Sequence, residues 1–368
     1  MINKKILIVC GGSGGHIFPA ISLAEELNNR GYDISFITDA SKIAKYNIDS
    51  GKYKSSVLSV PKMPYNFSIK WVLFIWQLLV SFFSALKLVS FHNPKLVIGF
   101  GAYISGPVLL AAKLSFKKVA IHEQNAVLGR ANKLLLPYSD KVFLSYKHMA
   151  IEYKKRYVFT GNPLRKKLTQ IYKSMTKREA VSFLKLSDKK KTLMVLGGSS
   201  GASFINSVML AFIGSISDEE RSMLQIVHLT GSKTNISIGD FYREKGVLNW
   251  TRDFCDDMGI LYKASDLLLC RAGATTVSEA AFFGLPSIFI PYTGAANHQI
   301  KNAAFLKENK AAEIVEEKYA TPVYMRKLIF SLLNDEHTLL ERSRRMRECS
   351  IPDASNRIAD NLDELLVS

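Results

Sequence analysis

Four cysteines, at positions 10, 255, 270 and 349, are too few and too scattered for a disulfide framework or a paired CxxC metal site. A reduced, cytosolic-side protein is expected. Long apolar runs are missing too. One strongly apolar, uncharged stretch, WVLFIWQLLVSFFSAL over residues 71–86, is bracketed by Lys70 and Lys87 and falls short of the roughly 20 residues that span a bilayer. The start, Met1 to Lys5, is basic, but the apolar run Ile6 to Cys10 is too short for a signal h-region, so no targeting segment is expected. No GxxxxGK[ST] follows any apolar run, which excludes a P-loop. Acidic residues are the minority, 32 against 49 Lys and Arg, and the resulting +17 favours an anionic partner: nucleic acid, an anionic membrane surface or a phosphate-bearing substrate.

What is present is globular. Hydrophobic residues make up 48% and charged residues 22%, which excludes a disordered or collagen-like chain. The length of 368 residues suits two domains, since single cores rarely grow much past about 250. KKILIVC leads into GGSGGH and a stretch with Ala20, Leu23, Ala24 and Leu27 on one helical face, stopped by Gly31. DISFITD, KLVIGFG, KVAIHEQ, KVFLSY and RYVFTGN follow as strand candidates. After the turn-rich Thr160-Gly161-Asn162-Pro163 a second cycle opens with TLMVLGGSSGA and continues through QIVHLTG, GVLNW, DLLLC, PSIFIPY and AAEIV. Apolar strands alternating with helices predict two doubly wound α/β domains with parallel sheets, whose ligands sit beyond the carboxyl ends of the strands. Facing sheets would bring both loop sets into one cleft. The expected division is 1–162 and 163–350, with a terminal helix in 351–368 (Ile358, Leu362, Leu365 and Leu366 in phase) packing back on the first domain. The stretch 71–86 suits an interfacial segment and a buried helix equally, and something of both is expected.

Both glycine loops place backbone amides where a phosphate could bind at a helix start. Neither is a dinucleotide fingerprint: Gly12 and Gly14 fit G-x-G, but Ile17 stands at the third position. Asp39 ends the second strand where a ribose-binding acid of a nicotinamide enzyme would sit, yet the broken fingerprint argues against that chemistry. His16 closes the first loop, as a structural group or as a general base. In CRAGATTVSEAAFFGLP, Glu279 follows Thr276 by three, a capping-box spacing; it either caps its own helix or accepts from vicinal sugar hydroxyls.

GGSGGHIFPA, GAYISGP, HEQNAVLGRANK, GNPLR, VLGGSSGA, FCDDM, CRAGATTVSE and NHQIKNA occur in this order. Together, from residue 4 to past residue 300, they resemble the bacterial N-acetylglucosaminyltransferases that act on lipid I in peptidoglycan synthesis. The resemblance implies a GT-B fold and an inverting, metal-independent transfer from UDP-N-acetylglucosamine to the muramic acid 4-hydroxyl, giving lipid II without a cofactor. The missing DxD-type or His/Cys metal cluster is consistent with it, with amide donors stabilising the leaving UDP. It also implies that Arg165, Ser199, Ser200, Gly201, the main chain at Cys255, Ala274, Thr275, Thr276, Val277, Ser278 and Glu279 bind the nucleotide sugar, with Glu279 on the ribose and His298 and Gln299 at the sugar. Ser13, Gly14, Gly15 and Asn125 resemble further donor contacts, His16 the general base, and Tyr103 and Glu123 the acceptor side. The family's usual GGY is here Gly101-Ala102-Tyr103; alanine resists a positive φ, so a different backbone is expected there.

The polyprenyl chain of such an acceptor gives stretch 71–86 a rationale as a dock on anionic lipid, at the cytoplasmic face of the membrane, among proteins of cell-wall synthesis and division. Another UDP-sugar-dependent GT-B lipid glycosyltransferase is the alternative, against which HEQN and GNPLR argue. A nucleic-acid-binding protein lacks any recognised motif, and no nucleic-acid partner is expected.

Overall fold

A computed structural model describes the chain except residues 1–3, 46, 47, 49–51, 62, 63, 65–69, 152–155, 198–201, 232–236, 293–297 and 368. It divides into Met1–Arg165 with Ile351–Ser368, and Lys166–Ser350.

In the first unit seven parallel strands form one sheet: β1 (Lys5–Val9), β2 (Asp33–Thr38), β3 (Lys54–Val57), β4 (Leu96–Gly99), β5 (Lys118–Glu123), β6 (Lys141–Leu144) and β7 (Tyr157–Phe159), in the order β3-β2-β1-β4-β5-β6-β7. Six of them are the apolar runs read from the sequence. β3, KSSV, is the exception: an edge strand with a half-exposed polar face leaves no apolar run to detect. Central β1 is buried on both faces. Ile6, Ile8 and Cys10 pack against the helix Gly14–Asn29 and the terminal helix Ala354–Val367; Leu7 and Val9 face the helices Lys70–His92 and Ser105–Leu114. The terminal helix is fixed by Arg30, which donates to Asp360 at 2.7 Å and Asp363 at 2.9 Å, while Tyr32 also donates to Asp363. Gly161 holds φ 82°, and a Cβ there would lie 2.5 Å from Cβ of Ile351. The glycine of GNPLR is thus required by packing.

The helix Lys70–His92 is longer than the stretch 71–86 and combines its two expected characters. It runs for 23 residues, straight through Lys87, long and apolar enough by composition to cross a membrane. Only Ser81, Ala85, Val89 and His92 are buried, a stripe at near-helical spacing. Ser81 donates to Ser59 O, and His92 Nε2 bonds the Ser56 hydroxyl at 2.9 Å. Val72 (68% exposed), Trp76 (65%) and Phe83 (60%) lie on the open side. One narrow face is core, Phe82, Leu86 and Leu88 are partly buried against it, and an apolar face stays exposed.

The second unit has six parallel strands: β8 (Lys191–Leu196), β9 (Leu224–Leu229), β10 (Leu248–Arg252), β11 (Leu267–Cys270), β12 (Ser287–Phe289) and β13 (Ala312–Ile314), in the order β10-β9-β8-β11-β12-β13. Leu193 and Val195 of β8 enter one core layer, Met194 and Leu196 the other, as the period of two requires. Inside, His228 of β9 is fully buried. Its Nε2 pairs with Asn206 Oδ1 at 3.0 Å, its Nδ1 with Tyr242 Oη at 2.8 Å, and Asn206 donates to Thr230 O at 3.0 Å. Burial pulls the His228 pKa down to about 3.

Candidate active site

Each strand order reverses once, between β1 and β4 in the first unit and between β8 and β11 in the second. Loops diverge at such a reversal and leave a crevice at the carboxyl ends of the strands.

At the first reversal the loop after β1 carries Gly12 at φ 76°, followed by Ser13, which precedes the helix that begins Gly14-Gly15-His16 without capping it through its side chain. A Cβ on Gly12 would lie 3.5 Å from Cβ of Ala102, and one on Gly101 would lie 3.4 Å from the His16 ring. Both distances are ordinary van der Waals contacts, so it is the left-handed backbone, φ 76° at Gly12 and 84° at Gly101, that favours glycine in the two loops beside the imidazole. Asp39 Oδ2 accepts from Gly12 N at 3.3 Å. The acid that ends β2 is thus turned onto the loop amide.

His16 is half-buried, and its Nδ1 lies 3.0 Å from Oε1 of Gln124, just past β5. Gln124 is 1% exposed and donates through Nε2 to Phe100 O at 3.1 Å. Its neighbour Glu123, expected on the acceptor side, is 1% exposed and accepts four hydrogen bonds. Oε1 takes Asn125 N and Asn125 Nδ2, both at 3.0 Å; Oε2 takes Gly129 N and Asn132 Nδ2, both at 2.8 Å. Glu123 therefore shapes the loop that presents Asn125, and both its oxygens are occupied by protein donors. Tyr103 is 58% exposed beside the same loops. Arg165 lies with its guanidinium 4.5 Å from the centre of the Phe18 ring, on the helix of His16.

Ala102 corrects an expectation. It adopts φ 63°, the left-handed conformation alanine was expected to avoid. That costs an L-residue about 1–2 kcal/mol.

At the second reversal the loop after β8 reaches Ser199, Ser200 and Gly201, which lie outside the described residues. The loop after β11, Arg271 to Gly273, opens the helix Ala274–Phe283. Its first turn holds no acid, and no side chain caps it: the residue before it is Gly273. Glu279 thus stands in the second turn and caps nothing, so the capping-box reading fails. The carboxylate is 3% exposed, and Tyr262 Oη donates to its Oε2 at 2.9 Å. Thr275, Thr276, Val277 and Ser278 occupy the turn between, with Ser278 Oγ donating back to Ala274 O at 3.0 Å.

Three residues that brace this loop and its helix, Arg271, Asn302 and Tyr262, escaped the motif reading. Arg271, 7% exposed, donates to Ile290 O at 2.9 Å and pairs with Glu317 at 2.6 Å, tying the ends of β11 and β12 together. Asn302 donates to Ala272 O at 3.2 Å. Gln299 Oε1 accepts from Tyr292 N at 2.9 Å, one residue after His298 begins its helix. Arg271 and Asn302 stand inside quoted motifs, so the signal existed; Tyr262, seventeen positions before Glu279, has none. Cys255 is half-buried in the loop after β10, and burial pushes its thiol up. A hollow of about 450 Å³ on the β10 side, lined by Arg243, Asn249, Arg252 and Asp253 among others, contains none of the expected residues. Among the described residues no three His, Cys, Asp or Glu side chains are grouped as metal ligands would be.

Residues 6–144 match the glycosyltransferase family 28 N-terminal domain and residues 192–358 its C-terminal domain. The crystal structure of MurG from Acinetobacter baumannii is similar over 98% of this chain and 99% of its own, with a TM-score of 0.76 at 25% identity. Two parallel-sheet units of this kind define a glycosyltransferase of the GT-B class. The UDP-N-acetylglucosamine–N-acetylmuramyl-(pentapeptide) pyrophosphoryl-undecaprenol N-acetylglucosamine transferases of Halothermothrix orenii and Finegoldia magna are 32% and 34% identical, over 98% of this chain and of theirs. The chain belongs to this family of N-acetylglucosamine transferases.

Proposed function

We propose that this chain transfers N-acetylglucosamine from UDP-N-acetylglucosamine to the C4 hydroxyl of the muramic acid in undecaprenyl-diphosphate-linked N-acetylmuramyl-pentapeptide, with inversion. The observation that carries the donor half is Glu279. A buried carboxylate, oriented by Tyr262 in the second turn of an uncapped helix, is built to accept from vicinal ribose hydroxyls while the helix start offers amides to the diphosphate. Arg165, Ser199, Ser200, Gly201, the main chain at Cys255, Ala274 to Ser278, His298 and Gln299 make up the rest of the donor set. Ser13, Gly14, Gly15 and Asn125 contribute from the first unit.

His16 acts as general base. It removes the proton of the 4-hydroxyl as that oxygen attacks the anomeric carbon, and UDP departs with the electron pair of the broken bond. The leaving charge meets amide donors and the positive helix end, and needs no metal or cofactor. Tyr103 borders the acceptor, and Glu123 serves it by fixing the Asn125 loop.

The bare face of helix Lys70–His92 lies on an anionic membrane surface at the cytoplasmic side, where proteins of cell-wall synthesis and division are neighbours. Its buried stripe supports a helix that lies on the bilayer, since a spanning helix would have to leave the protein core.

Glu279→Gln tests the donor assignment while keeping the side-chain shape. Loss of a charged hydrogen-bonding partner is expected to raise KM for UDP-N-acetylglucosamine by roughly 10- to 100-fold. Unchanged donor kinetics in a folded variant would remove Glu279 from the site.

A further inference from the structure

We propose that Gln124 is a positioning residue for the transfer, holding the His16 imidazole in the tautomer with the proton on Nδ1 and the lone pair on Nε2. The inference rests on reading His16 as the base. Phe100 O fixes the amide of Gln124, because only Nε2 can donate to a carbonyl at 3.1 Å. The oxygen Oε1 is then the atom 3.0 Å from His16 Nδ1, and an acceptor facing a ring nitrogen requires that nitrogen to carry hydrogen. Gln124 is 1% exposed, so water does not offer the ring an alternative partner on that side.

The pairing has a chemical consequence. When the acceptor hydroxyl gives its proton to Nε2 and its oxygen bonds the anomeric carbon, His16 becomes an imidazolium that still donates through Nδ1 to the same Oε1. A neutral amide therefore orients the ring in both protonation states without adding a negative charge. A carboxylate at this position would raise the basicity of the ring instead. The other ionisable groups on neighbouring elements are engaged elsewhere. Asp39 accepts from Gly12 N, Glu123 is enclosed by four donors, Arg165 lies over Phe18, and His122 of β5 bonds Gly161 O and is pulled down to about 4 by burial.

Three variants and one spectroscopic readout test this in the full chain. With ¹⁵N-labelled histidine, NMR is expected to show His16 protonated on Nδ1 at neutral pH, and Gln124→Leu to convert it to a mixture. Gln124→Leu is expected to lower kcat about 10- to 100-fold, part of the roughly 10²–10⁴ a general base supplies, with KM for UDP-N-acetylglucosamine within about twofold. Gln124→Glu, nearly identical in shape, is expected to move the acid limb of the kcat profile up by roughly one pH unit or more. In a His16→Ala background Gln124→Leu should cost nothing further. A proton on Nε2 in the native chain overturns the proposal, as does an unchanged profile in Gln124→Glu beside a crippled His16→Ala. If His16→Ala itself retains turnover within about threefold, the reading of His16 as base falls, while the NMR result still decides the tautomer.

Discussion

At the scale of single residues, the loops beside His16 carry three left-handed positions, Gly12, Gly101 and Ala102, and only the alanine is strained by its conformation. Ala102→Gly should therefore stabilise the first unit by about 0.5–1 kcal/mol, the relief of strain less the greater chain entropy of glycine. A rise of about 2 °C in its thermal midpoint checks this; a fall would mean the alanine methyl packs better than its backbone conformation costs. His16→Ala is expected to reduce kcat by roughly 10²–10⁴ with little effect on donor KM, measured by release of UDP. His16 and Glu279 stood out as candidates from motif order. Spacing alone did not tell that Glu279 leaves its helix start uncapped, because a capping-box spacing says nothing of where the helix begins; here it begins after Gly273. Gln124 lay in plain sight within HEQNA, but its partner is 108 positions away and no local pattern joins them.

Among the elements, helix Lys70–His92 carries the clearest expectation. Val72, Trp76 and Phe83 are each more than half exposed, so replacing all three with serine removes apolar area from the surface and leaves the stripe of Ser81, Ala85 and Val89 untouched. Binding to vesicles containing anionic lipid should fall by at least tenfold, with the thermal midpoint essentially unchanged. Undiminished binding would place the membrane contact elsewhere; unfolding would mean the open face is covered in the native protein. Strands were easier to foresee than this helix. A strand buried on both faces writes its whole length as an apolar run, whereas the edge strand KSSV and a helix that crosses Lys87 do not.

For the whole molecule, three buried histidines link stability to pH, His92 and His122 in the first unit and His228 in the second, and burial lowers the pKa of each. Above about pH 6.5 His122 and His228 are neutral whether the chain is folded or not. Below it the unfolded chain takes up protons that the native state refuses, down to about 4 at His122 and about 3 at His228. Stability should therefore fall on acidification, by roughly 1 kcal/mol per pH unit for each histidine across its window. Denaturant midpoints at pH 7 and pH 5 will show the loss, and His228→Gln should flatten the slope of the second unit while lowering its stability at pH 7. An unaltered slope would mean that another group governs the acid limb. The doubly wound plan of both units was readable because strand, glycine loop and helix recur in order; the network through Tyr242, His228, Asn206 and Thr230 was not, since it joins three elements that meet only in the folded sheet. The decisive measurement is sugar transfer by the full chain to a lipid I analogue in the presence of EDTA, with UDP-glucose and a diacylglycerol acceptor as controls. Transfer from UDP-N-acetylglucosamine to the lipid I analogue alone, undiminished by EDTA, is predicted. Transfer only to diacylglycerol, or none without a divalent ion, would contradict the chemistry assigned to His16 and the helix start at Ala274.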